Sequence, residues 1–419
     1  MTQPLTLRTW DVTGVAFGDV TRLDAGLLEI DVGELEAQIV SPVVGIDVRL
    51  AAPGDAVRIT HVLDAVIPSV KPDDPAATFP GILGPVAPAG RGATNRLAGV
   101  AVLSVADFGT LTAAAQATTE GESLVDMNGP GAEACPFSSM HNVVLVFRLD
   151  PAADPVEADE AIRRITVGTA RSLAETSLRA GEPDRVEGVD LDSADPDLPS
   201  VAVILQVASE GLVNDTLLYG KPMIRAPAQL IDPGEILDGA LASAAYDYAG
   251  LRNVTAFYQD NAVIQRLCRE HGERVTLAGA VLTLAFLDDP EEKTRWAEDA
   301  AALVENLGAD GVVMTSFQSG NSHTDVMLTI RACERRGIRT VAIISETNGG
   351  LVDMVPEADA LVSSGNEDQL IAAWEPEAVL GPNSFLDGTK ADHPRPLPIA
   401  AYLAAVEQTG SSRMQAVTL

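Results

Sequence analysis

Lysine is almost missing from this 419-residue chain: Lys71, Lys221, Lys293 and Lys390 are the whole complement. Lys and Arg together number 28 against 60 Asp and Glu, a formal net charge of −32. That balance excludes nucleic acid and anionic membrane as partners, since both need clustered cations on the protein. A well-solvated acidic surface is the plain reading of the charge. Cysteine is scarce too. Cys135, Cys268 and Cys333 are an odd count without tight spacing, which excludes a disulfide framework. No apolar run approaches the roughly 18 residues of a membrane span, and MTQPLTLRTW lacks the basic-then-apolar order of a secretion signal. A soluble, cytoplasmic protein is expected. Aromatics make up only 4% of a chain that is 46% hydrophobic, so its cores must be built from Ala, Val, Leu and Ile.

What is present reads as α/β, and the length calls for two or three domains. Short β-type segments (LLEIDV, VGIDVRL, AVRITHV, LAGVAVLSV) separated by Gly/Pro turns predict a β-rich, barrel-like domain over residues 1–120. NVVLVFRL, a helical-spaced stretch over 158–178 and VAVILQV then read as a βαβ unit with a parallel sheet, in an α/β domain over 121–270. GEPDRVEGVDLDSADPDLP, residues 181–199, reads as an acidic surface loop. The clearest alternation follows. VTLAGAVLTLAF, EEKTRWAEDAAALVENLG, DGVVMTSF, HTDVMLTIRACERRG, TVAIIS and ADALVSSG predict a Rossmann-like or flavodoxin-like domain over 271–380. The Pro-rich remainder, 381–419, reads as an irregular tail.

Three stretches could carry chemistry. Ser319-Gly320-Asn321-Ser322-His323 follows a strand and opens a helix, where free backbone N–H groups attract anions. It is either a carboxylate or phosphate seat or an ordinary βα loop. Thr324 is the expected N-cap of that helix and Gly337 its C′ residue, with Cys333 in the core. In DMNGPGAEACPFSSMHNVV, residues 126–144, Cys135 lies six residues before His141. A cationic neighbour would lower a thiol pKa and make a nucleophile, but Gly129-Pro130-Gly131 has turn-forming reasons of its own. One Cys and one His do not make a zinc site. Glu210, Asn214, Asp215 and Thr216 follow the strand VAVILQV and are either a site or a solvated loop.

Nine segments in fixed order, from AAPGDAVRITHVLDAVIPSV through FPGILGPV, AGRGATNRLAGVAVL, DMNGPGAEACPFSSMHNVV, LQVASEGLVNDTLLYG, IDPGEILDGA and DGVVMTSFQSGNSHTD to RGIRTVAI and SSGN, carry a resemblance. Together they resemble the alpha-subunit proprotein of component B of the glycine, sarcosine and betaine reductases, with D-proline reductase more distant. The resemblance implies a hetero-oligomeric reductase. A beta-type partner would bear a reactive cysteine or selenocysteine that attacks the substrate α-carbon, and thioredoxin-linked thiols would return electrons. It also implies a self-cleaved alpha subunit, whose processed cysteine becomes a pyruvoyl group that holds an amino substrate as a Schiff base.

That cysteine is missing here. The matching segment is DGALASAAYDYAG, residues 238–250, and no Cys occurs between Cys135 and Cys268. The expectation is therefore an unbroken chain with no pyruvoyl group and no other cofactor or metal. Tyr246 and Asp247 would orient a small carboxylated amine by hydrogen bonds, with Cys135 and His141 as a candidate replacement pair. Gly129, Gly131, Asn214, Asp215, Gly320, Asn321 and His323 are the candidate substrate contacts. The alternatives are a non-catalytic scaffold or regulatory subunit, or a stand-alone small-molecule-binding α/β protein.

Overall fold

The computed structural model describes residues 4–107, 123–191, 196–209, 211, 215–243, 249–285, 289–317, 321–346, 358–385, 388–411 and 415–417. In the first half, strands β1 (Leu5–Asp11), β2 (Val43–Ala51), β3 (Val62–Val66), β4 (Ser69–Val70), β5 (Gly92–Ala98), β6 (Val100–Val105) and β7 (His141–Leu149) precede helix α1 (Pro155–Ala174) and strand β8 (Arg185–Val189). They form two four-stranded sheets, ordered β8-β1-β5-β4 and β2-β7-β6-β3. Asp154 starts α1 by accepting from Val156 N and Glu157 N, and Pro155 needs no intrahelical partner at that position. The buried face of α1, with Ile162, Ile165 and Leu173, packs on the second sheet against Val102, Val143 and Leu145.

Two expectations are corrected here. The stretch 141–149 is a strand and 155–174 a helix, but the next parallel neighbour of β7 is β6, Val100 pairing with His141. The βαβ unit expected over 142–207 is thus not formed, because α1 returns over its own sheet. Within the expected acidic loop, β8 pairs antiparallel with β1, Leu5 opposite Val189. Its outer face is exposed, so it lacks the apolar alternation that marks a strand in sequence. These pairings also cross the expected division at residue 120.

The second half runs β9 (Ser200–Val207), β10 (Gln229–Ile231), α2 (Pro233–Leu237), α3 (Thr255–Gln259), α4 (Ala262–Glu270), β11 (Thr276–Leu284), α5 (Pro290–Asn306), β12 (Gly311–Thr315), α6 (Asn321–Glu334), β13 (Arg339–Glu346), β14 (Ala360–Asn366) and β15 (Gln415–Val417). One seven-stranded sheet results, ordered β10-β11-β9-β12-β13-β14-β15. Its five central strands are parallel and both edges antiparallel. Taken by chain order, the parallel strands lie 2-1-3-4-5.

Both faces are covered, as a parallel sheet requires. Ala202 and Ile204 face α5 and α6 through Ala300, Val304, Ile330 and Cys333. Val203, Leu205 and Val207 face Leu237, Tyr258 and Ile264, with Leu5 and Leu7 of β1 completing that core. Helix α6 begins at Asn321, so Thr324 lies inside its first turn rather than at the cap. Its end is as expected: Gly337 has φ +74° and Ile338 N donates to Cys333 O at 3.1 Å. The segment expected as a tail is packed inside the molecule, with Tyr402, Leu403, Glu407, Gln408 and Thr409 all buried.

The halves meet through backbone. A Cβ on Gly81 (φ +82°) would stand 2.0 Å from Tyr219 O, and one on Gly220 (φ +71°) 2.4 Å from Gly81 O. Gly92 has a similar φ of +67° but open space around it. Gly81→Ala is therefore expected to cost about 3 kcal/mol or more of unfolding free energy, and Gly92→Ala only about 1–2 kcal/mol of backbone strain. Urea midpoints of the two variants check this contrast.

Candidate functional site

The parallel order changes direction at β9, whose neighbours are β11 and β12, and ligands in open α/β sheets sit at the carboxyl ends of such strands. There Ala208, Ala285 and Phe317 form a small apolar cluster. Gln206, buried in β9, ties the strand ends to α6. Its Nε2 donates to Ser322 O at 3.1 Å, and its Oε1 accepts from Phe317 N at 2.8 Å and Ser316 Oγ at 3.3 Å.

His323 sits in the first turn of α6, 2% exposed, with both ring nitrogens buried and without a hydrogen-bond partner among the described residues. Burial pushes its pKa down to about 4, although Gln408 approaches the ring and favours the protonated form. The imidazole is neutral at physiological pH. Gln408 itself donates to Ser345 Oγ at 3.0 Å, and Ser364 Oγ donates to Val406 O at 2.8 Å. The 404–408 backbone is thus laid against the strand ends, and Ala404 N and Val406 N donate to Ala249 O and Gly250 O, both at 2.8 Å.

The other wall is the segment entering residue 243. Asp238 forms a buried ion pair with Lys71, Oδ2 to Nζ 2.5 Å, and accepts from Gly90 N at 2.7 Å and Thr94 Oγ1 at 2.5 Å. Ser243 N donates to Thr255 Oγ1 at 2.9 Å, and Ser243 O accepts from Arg163, whose guanidinium is held by both oxygens of Asp159 at 2.7 and 2.6 Å. Thr255 in turn donates through Oγ1 and N to Asp64, at 2.6 and 2.8 Å. Thr216 Oγ1 links Ala208 N (3.2 Å) to Tyr258 OH (3.2 Å), joining this wall to the end of β9.

The expected site residues divide into three groups. His323 and Asp215 lie at the strand ends, Asp215 accepting from Gly211 N at 3.0 Å, and Asn321 opens α6. Gly129, Gly131 and Cys135 lie together elsewhere. A Cβ on Gly129 would meet the Trp374 ring at 2.7 Å, and one on Gly131 the Tyr402 ring at 2.2 Å, so close packing accounts for both glycines. Beneath them Arg58 and Asp126 form a buried bidentate pair at 2.6 and 2.8 Å. Cys135 donates to Leu403 O at 3.3 Å, and burial pushes its pKa up to about 12, so it is a thiol rather than a thiolate. No hydrogen bond joins it to His141, which opens β7. Tyr246, Asp247, Asn214 and Gly320 lie outside the described residues.

Asp64, Arg163, Thr255, Gln206 and Gln408 were not singled out from the sequence. A signal existed for two of them: Asp64 and Gln206 are lone polar residues inside VLDAV and VAVILQV, both buried strands. Among the described residues no group of three or more His, Cys, Asp or Glu is placed to hold a metal, and no helix is long and apolar enough to cross a membrane. A groove of about 570 Å³ over residues 375–394 is lined by Glu375, Glu377 and Asp392 against Lys390 and His393, an acid excess that disfavours a carboxylate ligand.

A mixed α/β chain with this clamp around residue 243 can be set beside known proteins. The model for glycine/sarcosine/betaine reductase component B subunits matches residues 3–412, and the chain belongs to that family. It is 30% identical over 439 aligned positions to "Glycine reductase complex component B subunits alpha and beta" of Acetoanaerobium sticklandii, covering 97% of this chain and 98% of that one. It is 32% identical over 371 positions to the sarcosine reductase complex component B subunit alpha of Peptoclostridium acidaminophilum (84% and 83% covered). The betaine counterpart from the same organism is 29% identical (90% and 87% covered). No solved structure matches.

Burial raises the Asp64 carboxyl from 3.8 to about 6, against hydrogen bonds from Thr255. A raised folded pKa means the folded state holds the proton more tightly. The stability this group contributes is full below the unfolded pKa near 3.8 and is lost as pH rises through about 6. Between pH 4.5 and 7 the wild type should therefore lose about 2 kcal/mol that Asp64→Asn does not. Urea unfolding of both proteins at the two pH values measures it. His323 should not titrate between pH 5 and 8, which its ring proton NMR shifts would report.

Proposed function

We propose that this chain is an unbroken alpha-type subunit of a reductase complex of the glycine, sarcosine and betaine type, binding a small carboxylated amine without covalent capture. The observation that carries the reading is a missing atom type. The family match spans residues 3–412, yet residues 238–250 contain no thiol from which a pyruvoyl group could form. One relative's name places alpha and beta subunits on a single chain, and this chain spans 98% of it.

In this reading the 2-1-3-4-5 order is flavodoxin-like, and the substrate carboxylate seats at the start of α6 by Gly320 and Asn321. Neutral His323 offers one donor and one acceptor there without adding charge. Asp215 borders the same strand end, Asn214 is a further contact to the substrate, and Tyr246 and Asp247 orient the amine. A beta-type partner's thiolate or selenolate attacks the α-carbon and the amine leaves, with thioredoxin-linked thiols as the source of electrons. Without Schiff-base activation, a substrate whose amine is already a good leaving group is favoured, as a quaternary amine is. Cys135 is given no step, because its thiol is buried and protonated. That same fact favours a second reading, a non-catalytic scaffold: burial pushes all three cysteines up to about 12.

Intact-mass measurement is expected to give one species of 419 residues, unchanged by borohydride or phenylhydrazine. Two fragments divided near Ser243, with the downstream one trapped by the reagent, would overturn the unbroken-chain reading. In the complex reconstituted with its partner, Tyr246→Phe and Asp247→Asn should each lower kcat/KM tenfold or more. Unchanged activity in both would leave the scaffold.

A further inference from the structure

A second polar cavity lies away from the strand ends. Thr9 of β1 is in register with Arg96 of β5 on one side and Arg185 of β8 on the other. Side chains paired across adjacent strands share a face, so two guanidinium groups flank one hydroxyl. Helix α4 faces this row, and Gln265 and Arg269 line the same cavity of about 220 Å³. In a chain of net charge −32 the lining gathers three arginines, each with one acid: Asp260 for Arg96, Glu187 for Arg269 and Asp11, just outside the lining, for Arg185.

The acids leave donors over. An arginine has five N–H groups. Arg185 bonds Asp11 at 2.9 Å through Nη1 alone among the described residues, which leaves Nε and Nη2. Arg269 uses Nε and Nη2 on Glu187 (3.2 and 3.1 Å) and Nη2 also on Gln265 (3.3 Å), which leaves Nη1. Arg96, 5% exposed, is fixed by Asp260 at 3.0 Å and by Leu237 O, and its buried Nε–H has no acceptor among the described residues. Ile67, Leu97 and Met140 make part of the remaining lining apolar.

We infer that this cavity binds a short-chain monocarboxylate. The remaining Nε and Nη2 of Arg185 form a fork that matches a carboxylate in shape and charge, and Arg269 adds Nη1. A stem of two to four carbons lies against Ile67, Leu97 and Met140. At about 30 Å³ per water in the liquid, the space equals about seven waters, enough for such a molecule. Inorganic phosphate shares the anionic chemistry but has no stem for the apolar lining. Arg96 also bonds Leu237 O, one residue before Asp238 of the clamp, so occupancy is mechanically joined to the segment entering Ser243. The proposal does not depend on the reductase reading.

Isothermal titration of the full chain with propionate and with inorganic phosphate, at ionic strength fixed with sodium chloride, tests it. Propionate is expected to bind saturably at one site and at least fivefold more tightly than phosphate. The double variant Arg185→Gln/Arg269→Gln, at two half-exposed positions, should weaken propionate tenfold or more, and Gln265→Glu should weaken it independently by adding a negative charge. Arg96 is left intact because it anchors Leu237. Absence of saturable propionate binding, phosphate binding as tightly as propionate, or unchanged affinity in the double variant would each overturn the inference. Circular dichroism of the variants must match the wild type. If the double variant does not fold, unchanged propionate affinity in Gln265→Glu overturns the inference in its place.

Discussion

The Asp64 carboxylate is the contact on which the arrangement of the halves turns. It sits in a strand whose every residue is buried, so its charged form is disfavoured unless donors surround it. Thr255 supplies two of them and Ala65 N a third, at 2.9 Å. Because the Thr255 hydroxyl also receives Ser243 N–H, a strand of the first half fixes the backbone of a segment that belongs to the second. Arg163, from the helix on the first half's sheet, fixes the carbonyl of the same residue. A shift of that segment by one residue would leave several buried polar groups unpaired at once, at about 1–3 kcal/mol each. The network therefore selects one register rather than merely adding stability.

Much of the motif content serves that register. Gly81 and Gly220 touch backbone to backbone, Gly90 approaches Glu235 N, and Asp238 binds Lys71, Gly90 and Thr94. FPGILGPV, AGRGATNR, LLYG and DPGEILDGA are far apart in sequence and adjacent in space. Their glycines answer steric demands, as do Gly129 and Gly131 under Trp374 and Tyr402. This separates architecture from chemistry: the motif glycines hold the clamp, and the strand ends remain the place for the ligand only in the proposed reading.

The sequence made the second half legible because its strands are continuous apolar runs and its helices have caps and amphipathic spacing. Asp289 and Pro290 open α5, and Gly337 closes α6. It concealed β8, whose exposed outer face erased the period of two, and the partner of β7, since nothing local says that 100–105 lies beside 141–149. The candidate site was half legible. His323 was reached through its place after a strand, but Cys135 looked reactive only because burial by Leu403 and Phe137 cannot be read from spacing. Arg163 and Thr255 were hidden for another reason: in sequence they are ordinary helix residues, and only the tertiary meeting with Ser243 gives them a role.

The same geometry bears on whether Ser243 could replace the absent cysteine. Backbone cleavage by a side chain needs a base for the hydroxyl and donors on the carbonyl before it. The Ser243 hydroxyl is buried with no hydrogen-bond partner among the described residues. The carboxylate linked to this residue through Thr255, Asp64, already accepts both Thr255 donors, and the Thr255 hydroxyl faces the Ser243 amide. Arg163 does polarise a carbonyl, but it is that of Ser243 itself, on the wrong side of the bond that would break. A cation on the following carbonyl holds the backbone in place without activating the bond before Ser243, and the hydroxyl has no base among the described residues, which supports the proposed unbroken chain.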